Sequence, residues 1–116
     1  MTTRFTARPL IIALAAVAGM SFALPASAFD EEAAKLLFKQ NECGKCHNPE
    51  KNKKGPSLKK TAKEYKGKAD AEKKIIEHMT AGKKVKLDDG TEEDHKIIDT
   101  KDPKALKNMA QWILSH

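Results

Sequence analysis

Cys43-Gly44-Lys45-Cys46-His47 is the stretch whose residue types and spacing can do chemistry. Two thiols three positions apart lie on about one turn of helix, and a histidine follows the second thiol directly. This is the C-x-x-C-H attachment sequence of a c-type haem. Each thiol can add to one vinyl group of the same haem. The histidine is then held beneath the iron, where it ligates as neutral imidazole. Other uses of the stretch fit less well. A redox disulfide of the thioredoxin kind belongs to a βαβ setting, which is not visible here. A zinc site needs four ligands, and these are the chain's only two cysteines. A chance match fits poorly with the export signal upstream.

That signal occupies residues 1–28. Arg4 and Arg8 form a positive start, residues 10–20 are an apolar run, and Ala26-Ser27-Ala28 is a small-x-small cleavage site. The alternative is a membrane anchor. Pro25 interrupts the run, which is short of the roughly 20 apolar residues a span requires. Cleavage after Ala28 leaves a periplasmic domain of residues 29–116, with no stable membrane insertion. A domain this short struggles to bury a self-sufficient core. Two cysteines in an exported chain would ordinarily suggest a disulfide. Here they are better used on one haem c, whose apolar ring becomes the centre of the core. The haem-free chain is then expected to be largely unfolded.

The full chain carries 22 Lys and Arg against 16 Asp and Glu, a net +6; without its two arginines, both in the signal, the excess falls to +4. Lysines without arginine, and few aromatics, argue against nucleic acid, where Arg contacts and stacking rings are usual. Interleaved Lys and Glu read mainly as solvated helix surface. A lysine-rich face for an acidic redox partner is the functional alternative. The expected state is a monomer.

The elements that must position the motif are helical. Asp30 can cap a helix over 31–41, whose residues Ala33, Ala34, Leu36, Leu37 and Phe38 form a broad apolar face leading into Cys43. Residues 48–56 form a loop by their Pro, Gly and Asn content. Pro56 lacks an N–H but keeps its carbonyl, the kind of acceptor that the free Nδ1–H of an iron-bound histidine requires. A simple turn proline is the other reading. Ser57 can cap a helix over 58–65, and another spans 70–80. Residues 83–101 are long and polar, without strong periodicity, and loops of that length are usually functional or mobile. Asp102 and Pro103 open a last helix, with Leu106, Met109, Ala110 and Ile113 on one stripe. No convincing strand and no internal repeat is visible.

The mature chain as a whole resembles a small bacterial class I cytochrome c. The resemblance is carried by Leu37-Phe38-Lys39 before Cys43, the Cys43–His47 motif, Gly55-Pro56, and the ending Ala110-Gln111-Trp112-Ile113-Leu114. It implies an all-α fold of about four short helices around one covalently bound haem, the first and last crossing near Phe38 and Trp112. It also implies that Pro56 accepts the hydrogen bond of the proximal His47. One departure matters. The family usually supplies methionine as sixth ligand some 16 or 17 residues before the final-helix tryptophan. That window here holds His95 and Lys96, and no methionine lies between Met79 and Met109. His95 is therefore the leading second metal ligand.

The competitors for that place are Met79, Met109, His78 and an open site. Both methionines lie on apolar helix stripes, where Met more often fills core. His78 lies on a Lys- and Glu-rich helix and reads as a surface residue, and His116 is terminal. The function this implies is transfer of single electrons between redox proteins, at low potential with two histidine ligands, and not catalysis. The alternatives are an electron-transfer subunit of a larger oxidoreductase, or a haem protein whose open sixth site binds small gases or substrates.

Overall fold

The computed structural model describes residues 29–116 and the single Gly19. The expected signal segment and its cleavage site otherwise lie outside the described residues. Helix α1 is Glu31–Gln40, with the Asp30 carboxylate accepting from Ala33 N at 3.0 Å and two acids in the first turn, where the helix dipole favours them. Helix α2 is Leu58–Tyr65, capped by Ser57 Oγ on Lys60 N at 3.0 Å. Helix α3 is Ala71–Thr80; Asp70 precedes it without capping it and pairs instead with Lys74. Helix α4, Pro103–Leu114, starts with the Asp102 carboxylate on Lys104 N and Pro103 in its first turn.

Helix α4 is the hub, in contact with α1, α2 and α3. Its stripe behaves as the period demands: Leu106, Met109, Ala110, Trp112 and Ile113 are all buried. Ala34 of α1 and Ala110 are fully buried, small side chains that suit a close helix crossing. Beside them Phe38 meets Trp112 edge to face, with centroids 5.4 Å apart at 73°, a geometry aromatic quadrupoles favour. The expected crossing of the terminal helices is present. Asn108 closes its outer end by accepting from Asp30 N at 2.6 Å and donating to Asp30 O at 2.8 Å.

The long polar segment differs from expectation, because it contains a hairpin. Strands β1 (Lys84–Lys86) and β2 (Glu92–Asp94) pair antiparallel, with Lys84 opposite Asp94 and Lys86 opposite Glu92. The physical reason lies in charge and turn chemistry. Opposite charges face each other across the ladder. Asp89 Oδ1 accepts from Thr91 N at 2.9 Å, and Gly90 takes φ +86°, a left-handed position suited to glycine.

Candidate functional site

The end of α1 sets the motif's position. Asn41 is buried; its Nδ2 donates to Leu37 O, and its Oδ1 accepts from Asp99 N at 2.9 Å. Glu42 then takes a left-handed conformation, φ +55°, which turns the chain off the helix axis. Such a conformation is unfavourable for a residue with a Cβ. Its carboxylate is held by Lys45 at 2.8 Å. Cys43–Lys45 form a 3-10 turn, and His47 N bonds Cys43 O at 2.9 Å. Both thiols are free and half-buried. Burial pushes the Cys43 thiol pKa up, because a thiolate loses its hydration there.

The loop after the motif presents an acceptor to His47. Asn48 Oδ1 takes the N–H groups of Glu50 and Lys51, Asn52 Oδ1 takes that of Ser57, and Gly55 N bonds back to Cys46 O at 3.0 Å. The result is His47 Nδ1 donating to Pro56 O at 2.7 Å. A proton on Nδ1 leaves Nε2 with a free lone pair. Gly55 lies flat against the same ring: a Cβ there would sit 2.8 Å from His47 Cε1 and 3.1 Å from Nδ1.

Two cavities of about 460 and 190 Å³ adjoin at this ring, and both are walled by Cys43, His47, Pro56, His78, Met79 and His95. The smaller continues to Leu58, Ile75, Met109 and Ile113. Cys46 lines the larger. All five site residues expected from the sequence, Cys43, Cys46, His47, Pro56 and His95, therefore meet around one space. His95 follows β2, and its N bonds Lys83 O at 2.9 Å. Its ring centroid is 6.1 Å from that of His47, and its Nδ1 donates to Lys96 O at 2.9 Å. Burial lowers the His95 pKa, favouring the neutral form that can ligate a metal.

Two further residues belong to the site. Gly55 appeared in the sequence only as part of Gly55-Pro56. His78, a competitor for the sixth position that the sequence reads as a surface residue, is exposed, but on the cavity side, with its ring 4.1 Å from that of His95. Burial, and then the neighbouring His95, lower its pKa. Met79 is buried at the cavity wall, and Met109 is 1 % exposed on α4. No helix among the described residues is long and apolar enough to cross a membrane.

Two unpaired thiols on one turn, an imidazole with Nε2 left free, a missing Cβ against its face and a largely apolar cleft fit a covalently attached haem. The site is that of a c-type haem protein. The sequence profile of the family described as Cytochrome c matches residues 31–116. Among solved structures, the chain is similar to the class 1 cytochrome MtoD from Sideroxydans lithotrophicus ES-1. That match has 55% identity, TM-score 0.73, and covers 76% of this chain and 97% of that one. It is also similar to wild-type cytochrome c552 from Nitrosomonas europaea. Here identity is 27%, TM-score 0.56, and coverage 70% and 96%. No curated protein matches the chain. The chain belongs to the cytochrome c family, as a small class I cytochrome with one haem c bound through Cys43 and Cys46. It is an electron carrier and not an enzyme.

Proposed function

We propose that this chain is an exported, periplasmic monohaem carrier whose iron is held between His47 and His95. The observation that carries the reading is the 6.1 Å separation of the two ring centroids. Metal–imidazole bonds of roughly 2 Å on each side correspond to centroids about 6 Å apart. Both rings have Nδ1 committed to a backbone carbonyl, Pro56 O for one and Lys96 O for the other. That leaves each Nε2 free for iron, and the carbonyls increase the donor strength of the rings.

The haem, when bound, takes up and releases one electron at its iron. The chain's own residues do the rest. Cys43 and Cys46 hold the group covalently. The Pro56 carbonyl fixes the tautomer and orientation of His47. Leu58, Ile75, Met109 and Ile113 keep water from the inner cleft. Two imidazoles donate more strongly than an imidazole and a thioether, so ferric iron is favoured and the potential lies below that of His/Met relatives in similar surroundings. Redox partners are proteins, and the lysine excess suits an acidic docking face on a monomeric carrier. Cleavage after Ala28 is compatible with Phe29, which would become the N-terminus and already packs against the core.

The test is His95→Ala in the haem-loaded protein. Haem should stay attached while the ferric spectrum changes from low-spin to high-spin or water-bound. A methionine–iron charge-transfer band in the wild-type near-infrared spectrum, or a wild-type spectrum in the variant, would refute His95 as ligand.

A further inference from the structure

We propose that His78 is a positioning residue for the sixth ligand: its ring braces the His95 imidazole and keeps the sixth coordination position closed. The proposal rests on the reading of His95 as axial ligand. The first observation is contact. The His78 and His95 centroids are 4.1 Å apart with the rings tilted by 51°, which is direct packing of one ring on the other.

The second observation is a difference in support. His78 is carried on α3, which is anchored in the core by Ile75 and Met79. His95 is carried on the end of a hairpin that packs chiefly on itself. That hairpin joins α3 through Gly82, at φ +61°. The hydrogen bonds of His95 stay within its own segment, to Lys96 O through the ring and to Lys83 O through the backbone. Bonds of that kind travel with the hairpin and cannot fix the ring relative to the helices. The next backbone anchor to the helical body is Ile98 N on Met79 O at 2.9 Å, three residues further on; the segment's other ties, Asp88 N to Lys54 O and the exposed ion pairs of Lys83 with Glu77 and of Lys96 with Glu42, do not touch the His95 ring.

The third observation is that the His78 ring makes no hydrogen bond among the described residues, so no polar partner holds it elsewhere. Both cavities include it in their walls. His78 is thus the contact by which a rigid helix sets the angle and the residence of a ligand mounted on a hairpin.

The experiment compares haem-loaded wild type with His78→Ala, His78→Phe and His95→Ala. The readouts are the rate of carbon monoxide binding to the ferrous protein and the low-spin electron paramagnetic resonance spectrum of the ferric protein. His78→Ala should remain low-spin, with shifted g-values, and bind carbon monoxide about tenfold faster, the size of effect that loss of one ring–ring contact can produce. His78→Phe should restore the wild-type rate, since it restores the packing without a ligating nitrogen. If His95→Ala becomes high-spin but His78→Ala keeps the wild-type rate and g-values, the ligand reading stands and the brace is overturned. If His78→Ala becomes high-spin while His95→Ala stays low-spin, His78 is itself the ligand, and both readings are overturned. If both alanine variants keep the wild-type spectrum, His95 is no ligand and the brace falls with it.

Discussion

Gly55→Ala isolates the packing of the proximal histidine from the chemistry of the motif. No residue of the motif changes, and Gly55 is not among the glycines at positive φ, so the backbone accepts alanine. The new methyl carbon would lie 2.8 Å from His47 Cε1, 3.1 Å from Nδ1 and 3.4 Å from Nε2. Carbon atoms in good contact are about 3.5–4.0 Å apart, so ring and loop must separate by somewhat under 1 Å. The ring cannot simply retreat, because its Nδ1 is tied to Pro56 O at 2.7 Å and its Nε2 would be bonded to iron. Overpacking of this kind costs about 1–3 kcal/mol, and each kcal/mol lowers Tm by roughly 4–8 °C in a domain of this size. Any lengthening of the Nδ1–H···O bond weakens His47 as a donor, so the potential should rise. Thermal melting and redox titration of the haem-loaded variant measure both. Gly44→Ala is the control, since its methyl meets only Phe38 Cε1, at 3.4 Å. A Gly55→Ala protein with wild-type Tm and potential would show that the ring has room, and the argument from the close approach would fail.

Trp112→Ala should lower stability by about 3–5 kcal/mol, because the indole is 5 % exposed and edge-packed on Phe38; chemical denaturation checks it, and a change within surface-mutation range would contradict it. Asn41→Ala should cost about 1–3 kcal/mol. Its buried amide joins Leu37 O to Asp99 N, and amide exchange should speed up at Asp99 while α2 is unaffected.

The helices were legible because their signals are local. Asp30, Ser57 and Asp102 cap where expected, and the stripe Leu106–Met109–Ala110–Ile113 is buried as its period requires. The hairpin was not, because strand alternation is visible only when one face is buried. Here β2 is exposed throughout and only Val85 of β1 is partly covered. What the segment does carry is Lys-Val-Lys facing Glu-Glu-Asp across a glycine turn, a weaker signal of cross-strand charge. Cys43, Cys46 and His47 were legible from spacing alone. His95 emerged only through the family's ligand window. Gly55 and His78 act through tertiary approach to His47 and His95, which no local pattern encodes.

The double hydrogen bond between Asp30 and Asn108 joins positions 78 residues apart in sequence. It brings the start of the domain to the middle of its last helix. From Asn108 to Leu114 the helix runs only about 9 Å further. Head and tail are therefore neighbours on one side of the fold, the layout that tolerates circular permutation and insertion into a longer chain.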